Sequence, residues 1–307
     1  MQNLFNKILE NKEKVLNKFN ENVNIDSIII ENNGQVFSHF YKEDSLHEMR
    51  SLSKVLIALA YGIILERKML SLDTFVYPII KDLVDIKNTN NLEKIKKWQI
   101  KHLLTYTAGY ESQMFSESYI KDLNLKNSLN YVVNFDLVYS PGERYVYNNA
   151  ETFLLSVCFS EMFNENITDF IKREIFEPLN IVNFRWDNYG KYCPGGTGLY
   201  ISHADLFKIG QLILNKGTFL GKNLISEEYI QKMCSTQIQT PYAVKPGRVL
   251  PKLGVGYVMH ISRDGYFYKD GKNGQYLIFN FEKNLLISIL SSETDMTSVT
   301  EILRNLI

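Results

Sequence analysis

Ser51-Leu52-Ser53-Lys54 sets a hydroxyl and an amine three residues apart at the head of a long apolar run. Three residues is nearly one helical turn, so on a helix both side chains share a face and reach each other. A serine hydroxyl is a weak nucleophile until a neighbouring base takes its proton. A lysine is such a base only when burial lowers its pKa. The apolar residues from Val55 onward supply that burial. A helix N-terminus adds partial positive charge, and the Ser51 N–H is half of an oxyanion hole. Ser53 fails as a nucleophile, because Leu56 stands three residues further on. Alone the tetrad is a weak signal: a chain this rich in Ser and Lys yields on the order of two by chance. The ordinary alternative makes Ser51 an N-cap and Lys54 a solvated first-turn lysine.

A second group is Pro141-Gly142-Glu143-Arg144-Tyr145-Val146-Tyr147-Asn148-Asn149-Ala150. Tyr147 and Asn149 place a phenol and an amide on one side of a loop that leads into a helix. A phenol beside an ammonium loses its proton more easily and can act as a general base. The amide can hold a substrate carbonyl. The ordinary alternative packs Tyr147 under a turn and makes Asn149 the N-cap of a helix over 150–163.

These groups need a scaffold. Residues 2–20 read as an amphipathic helix. Asp26–Ile30 and Gln35–Phe40 read as strands of a hairpin turned at Asn32-Asn33-Gly34. Ser51 to about Arg67 reads as a helix apolar all round, hence buried. From 73 to 194 the pattern is helical pieces between loops. Helices follow at 203–216 and 226–234, the second capped by Ser226 with Glu227 and Glu228 in its first turn. Gly254–Ile261, Gly265–Tyr268, Gln275–Phe281 and Leu285–Leu290 read as strands, and 295–306 as a last helix. Connections of two to six residues force these strands antiparallel. The expectation is α+β: one antiparallel sheet shared by the first hairpin and the last meander, flanked by helices. Its sheet unit spans 1–72 and 195–307, with 73–194 inserted as a helical subdomain and a pocket between the two.

Composition narrows the chemistry. The chain has 307 residues with 34 Lys+Arg against 34 Asp+Glu, interspersed in sign. It lacks the basic excess of nucleic-acid binders and of proteins that dock on anionic membranes. The longest apolar stretch, Val55 to Leu65, is 11 residues, against about 20 for a membrane span. The first residues lack the continuous apolar core of a secretory signal, and Cys158, Cys193 and Cys234 form no disulfide framework or CxxC pair. These features point to a reduced, cytoplasmic protein, with the Asn166 sequon incidental. His39, His47, His102, His203 and His260 show no metal-binding spacing and read as satisfied structural histidines, so no metal or cofactor is expected. No G-x-S-x-G elbow occurs. Gly217–Asn223 falls short of a P-loop, and Gly254-Val255-Gly256 lacks the third glycine of a dinucleotide fingerprint.

The order S-x-x-K, Y-x-N and a late K-x-G, at Lys269-Asp270-Gly271, resembles the serine β-lactamase/penicillin-binding-protein superfamily. The flanks HEMRSLSKVLIALAYGIILERKMLSLD, WQIKHLLTYTAGY and PGERYVYNNAE carry the likeness. So do GGTGLYISHADLFKIGQLILNKGTFLGKNLIS and GYFYKDGKNGQYLIFNFEKNLLISILSS, and together they cover roughly residues 25–306. The YNN and G-x-x-G-Q pattern is most similar to the class C-like branch, where β-lactamases sit beside esterases and 6-aminohexanoate-dimer amidases. The resemblance implies that Ser51 is the acylated nucleophile, Lys54 its base partner and Tyr147 the acid/base that relays protons. It implies that Asn149 contacts the substrate amide. Lys269, Asp270 and Gly271 would lie on an edge strand along the substrate, and the Lys272 N–H would complete the oxyanion hole. Asp270 departs from the usual Thr or Ser; a carboxylate there would partly neutralise Lys269 and repel an anionic substrate. The expected function is a serine hydrolase acting on a small ester or amide. The alternatives are a β-lactamase or D-alanyl-D-alanine peptidase-type activity on a β-lactam or peptide, or a non-catalytic binding protein. Oligomeric state is left open.

Overall fold

Ile25–Asn32 and Gln35–Phe40 are apolar, β-branched runs that meet at Asn33-Gly34, where φ is 50° and 77°. Two positive-φ residues make a tight hairpin turn that matches strand twist. The computed structural model describes residues 24–114, 125–240 and 250–293, with Glu10, Val299 and Leu303. The expected helices over 2–20 and 295–306 otherwise lie outside the described residues.

Thirteen strands are described. They are β1 (Ile25–Asn32), β2 (Gln35–Phe40), β3 (His47–Glu48), β4 (Arg185–Trp186), β5 (Leu199–Ile201), β6 (Thr218–Phe219) and β7 (Lys222–Asn223). The last six are β8 (Ile238–Gln239), β9 (Gly254–Val255), β10 (His260–Ile261), β11 (Tyr266–Gly271), β12 (Gln275–Asn280) and β13 (Leu285–Ser291). Eight of them form one antiparallel sheet in the order β2-β1-β13-β12-β11-β10-β9-β8. The first hairpin and the final meander do share a sheet, since β1 pairs with β13 from Ile25↔Ser291 to Asn32↔Leu285.

The expected strand over Gly254–Ile261 is instead two strands folded back on each other, with His260 opposite Val255. The chain reverses between them at Val258, whose φ is 56°, and Gly256 N–H donates to the Met259 carbonyl. An alternating apolar pattern cannot distinguish one long strand from two short ones joined by so tight a turn.

Helix α1 (Lys54–Glu66) is buried from Lys54 through Ile64, as an all-round apolar helix must be. Short helices α2 (Tyr77–Ile80), α3 (Thr89–Ile95), α4 (Ile100–Leu104) and α5 (Leu125–Asn134) follow, then α6 (Ala150–Phe163) and α7 (Ile167–Ile171). Helices α8 (His203–Leu214) and α9 (Glu227–Met233) follow, α9 capped by Ser226, whose hydroxyl accepts from Tyr229 N–H. The main core joins α1 and α6 to the sheet face that carries Ile29, Phe267, Leu277 and Leu286. Ile28, Ile30, Tyr268, Ile278 and Ile287 fill a second core on the opposite face. The period of two along each strand divides these residues between the faces.

The chain reaches α1 through a 3₁₀ turn at Arg50–Ser53 rather than by an α-helix starting at Ser51. Leu52 N–H donates to the Met49 carbonyl, and Met49 N–H to Leu199. These bonds suspend the Ser51 turn between β3 and the helix.

Candidate active site

Ser51 is not an N-cap and Lys54 is not solvated. Lys54 has no exposed surface, and its Nζ lies 3.2 Å from Ser51 Oγ. It also donates to Asn149 Oδ1 at 2.6 Å and to the Gly196 carbonyl at 3.1 Å. Burial lowers its pKa to about 7, against the opposing pull of Glu151 and Asp270. Three acceptors therefore hold the amine in place, and desolvation brings it within range of losing its proton near neutrality.

Tyr147 donates its phenolic hydrogen to Ser51 Oγ at 2.7 Å. The Ser51 oxygen is thus approached by an amine and by a phenol. Here the sequence-based expectation needs correcting. Burial pushes the Tyr147 phenol up from its ordinary value, despite the lowering effect of its bond to Ser51. Desolvation outweighs any help from a neighbouring ammonium, so Tyr147 is a proton donor at rest. Asn149 holds the N-cap position of α6, but its side chain makes no capping bond: Asn148 Oδ1 accepts from Ala150 N–H at 2.8 Å instead, and the Asn149 side chain is turned to Lys54. Gly196 is required by close approach: a Cβ there would lie 2.6 Å from Lys54 Nζ.

Lys269, Asp270 and Gly271 end β11. That strand is interior to the sheet rather than at its edge. Its ladder with β10 nevertheless spans only Phe267 and Tyr268, whereas β12 pairs with it from Tyr266 to Gly271. Lys269 is fully buried, with Nζ 4.8 Å from the Tyr147 ring centroid and 3.4 Å from Tyr106 Oη. Burial, reinforced by Lys54, lowers its pKa well below the ordinary lysine value. Asp270 is engaged elsewhere: its Oδ1 lies 3.1 Å from His260 Nε2 on β10. Burial, with Lys252 and Lys269, pushes His260 well below its ordinary pKa, so the neutral ring donates its Nε2 proton to Asp270. That bond and the nearby lysines hold the Asp270 carboxyl low against the upward push of burial. Gly271 lets the strand press on the Ser51 turn, since a Cβ there would lie 3.3 Å from the Met49 carbonyl. Lys272 follows in the exposed turn before β12.

Among the described residues no group of His, Cys, Asp and Glu could hold a metal ion, and no helix is long and apolar enough to cross a membrane. A cavity of about 590 Å³ lined by Asn88, Lys94, Glu111 and Asp136 shares no residue with the Ser51 cluster. Its walls bring together none of the groups the chemistry needs.

A family model described as Beta-lactamase matches residues 26–305. The chain belongs to that family. Solved Beta-lactamase-family relatives share its fold at low identity. The octameric penicillin-binding protein homologue from Pyrococcus abyssi is 20% identical with a TM-score of 0.76, over 97% of this chain and 76% of that one. EstCE1, a hydrolase with promiscuous acyltransferase activity, is 14% identical with a TM-score of 0.80, over 99% and 98% of the two chains. A class C β-lactamase is 14% identical with a TM-score of 0.76, over 99% and 97%. Family and neighbours support a hydrolase.

Within this Beta-lactamase-family frame, several residues around Ser51 lie in the segments that carry the likeness but had no role assigned from sequence. Gly196, Gln275 and Tyr106 are joined to the cluster only by the fold. Gln275 Nε2 donates to the Glu48 carbonyl at 2.8 Å, tying β12 to the Ser51 turn. Lys252 also lies 5.4 Å from the Tyr147 ring centroid, and Lys54 5.3 Å. His260 is not the satisfied structural histidine expected, because its Nδ1 is buried with no hydrogen-bond partner among the described residues. His203 does fit that expectation, with Ser27 and Ser288 hydroxyls at its two ring nitrogens.

Proposed function

We propose that this chain is a serine hydrolase that acylates Ser51 with an ester or amide substrate and then releases the acyl group to water. The observation that carries the reading is the double approach to Ser51 Oγ, by Lys54 Nζ at 3.2 Å and Tyr147 Oη at 2.7 Å. Above about pH 7 the Lys54 amine accepts the Ser51 proton as Oγ attacks the carbonyl carbon. The backbone N–H groups of Ser51 and Lys272 receive the developing oxyanion. Tyr147 then delivers its hydroxyl proton to the leaving group and recovers one from Lys54. In the second half the same groups activate a water. Asn149, bonded to Lys54, would also contact the substrate amide.

Esters and linear amides come before β-lactams in this reading. By the family resemblance a substrate carboxylate would need a cation or a hydroxyl from the Lys269-Asp270-Gly271 box, but Asp270 is negative and bonded to His260, and Lys269 is fully buried beside Tyr106 and Tyr147. Hydrolase neighbours such as EstCE1 are consistent with that order. The test is intact-mass spectrometry after treatment with a fluorophosphonate and, separately, with a penicillin. A single fluorophosphonate adduct at Ser51, absent in Ser51→Ala, is expected. No adduct from either reagent at high concentration sinks the proposal, and rapid turnover of the penicillin moves it to the β-lactamase alternative.

A further inference from the structure

The turn that carries Ser51 is strained at a residue no motif includes. Arg50 has φ 47°, a left-handed conformation that a non-glycine residue keeps only when its surroundings impose it. One side chain touches both sides of this turn. Glu48 Oε2 pairs with Arg50 Nη1 at 2.8 Å, and the carboxylate is only 12% exposed. Its other oxygen, Oε1, accepts from Thr197 Oγ1 at 3.0 Å and from Gly198 N–H at 3.2 Å. Thr197 and Gly198 belong to the loop whose Gly196 carbonyl meets Lys54 Nζ at 3.1 Å and whose Gly195 carbonyl accepts from Ser53 Oγ at 3.2 Å. Glu48 thus stands between the residue preceding the nucleophile and the loop that holds the amine. Charge-assisted bonds to a mostly buried carboxylate are the strong kind.

We infer that Glu48 is a positioning residue: its two carboxylate oxygens lock the Gly195–Gly198 loop to the strained turn at Arg50, and so hold the Lys54 amine within reach of Ser51. The inference rests on the proposal that Lys54 activates Ser51. It goes beyond it by assigning the geometry to a residue outside the motifs.

Three variants separate the two ends of the brace. Glu48→Ala removes both. Glu48→Gln keeps one oxygen for Thr197 and Gly198 but loses the ion pair with Arg50. Thr197→Val removes the hydroxyl donor on the loop side alone. The readout is the rate of Ser51 labelling by a fluorophosphonate between pH 5 and 9, with thermal unfolding as a check on folding. In the wild type the rate is expected to climb to a plateau with a midpoint near 7, the pKa to which burial lowers Lys54. The groups facing that amine are Ser51, Asn149, the Gly196 carbonyl and the Tyr147 ring, with Glu151 and Asp270 acting through their charge.

A loosened loop admits water, which relieves desolvation and raises the Lys54 pKa. Glu48→Ala is therefore expected to lower the plateau about 10- to 100-fold and to move the midpoint to higher pH. Thr197→Val moves it the same way by less. Glu48→Gln lowers the plateau and leaves the midpoint in place. A folded Glu48→Ala protein with the wild-type midpoint overturns the inference, because a merely structural brace would change the folded fraction and not the midpoint. Wild-type protein that never labels at Ser51 overturns the hydrolase proposal and this inference with it. Normal wild-type labelling with unresponsive variants overturns the inference alone.

Discussion

Two lysines without exposed surface face the same tyrosine, and their surroundings differ in kind. Lys54 meets three oxygen acceptors, on Ser51, Asn149 and Gly196. Among the described residues Lys269 has only Tyr106 Oη at 3.4 Å and the already donating His260 Nε2 at 3.5 Å. Acceptors stabilise an ammonium and burial opposes it. At Lys54 the pull of Glu151 and Asp270 limits the effect of burial and leaves a pKa of about 7, while at Lys269 burial is reinforced by Lys54 and Lys252 and drives the value well below the ordinary one. One is poised to exchange a proton. The other supplies bulk, a dipole and a floor under the Tyr147 ring.

The difference is broken most forcefully by replacing each lysine with methionine, which keeps its stem. Lys54→Met should lower turnover of a nitrophenyl ester by about 10³- to 10⁴-fold, the upper range for a proton-transfer residue. Lys269→Met should cost about tenfold or less, as expected of a residue that packs rather than transfers protons. Steady-state kcat/KM on the two purified variants is the measurement, and equal losses would erase the distinction. Next in size is Tyr147→Phe, expected to cost about 100-fold or more while thermal unfolding stays close to wild type. The phenol is held protonated by burial, so its loss removes a donor to the leaving group. The deficit should accordingly shrink on esters with better leaving groups. A deficit that ignores leaving-group pKa would assign Tyr147 some other task.

The same contrast explains what a reader of the sequence can and cannot see. Ser51 and Lys54 meet because helical spacing is local, and an apolar run long enough to bury the lysine is visible in the letters. Tyr147 and Asn149 are visible as a pair, but that the Asn149 side chain leaves the capping bond to Asn148 depends on Lys54, a residue 95 positions away from Asn149. The shared sheet follows from short connections and alternating strands. The register that puts His260 opposite Tyr268, and so under Asp270, does not: it depends on a reversal at Val258, whose positive φ no β-branched residue advertises. Asp270 looks, in sequence, like a partner for its neighbour Lys269. The carboxylate finds a histidine on the adjoining strand instead. Glu48 and Arg50 were invisible for a similar reason, since their significance comes from a loop near position 197.

The smallest effect expected is also the one that tests the Asp270 side of the comparison most finely. Asp270→Asn keeps an oxygen to accept from His260 Nε2 and removes only the charge. Asp270 raises the pKa of both Lys54 and Lys269, so without it each ammonium becomes harder to maintain. The acidic limb of the kcat/KM profile, set by Lys54 near pH 7 in the wild type, should move to lower pH by less than about one unit. At pH 6 the variant would then exceed the wild type on a neutral ester, and above pH 8, where Lys54 is already deprotonated in both, the two should coincide. A limb that moves upward, or a rate deficit that persists at high pH, would mean that Asp270 acts on the substrate rather than through the charge of Lys54.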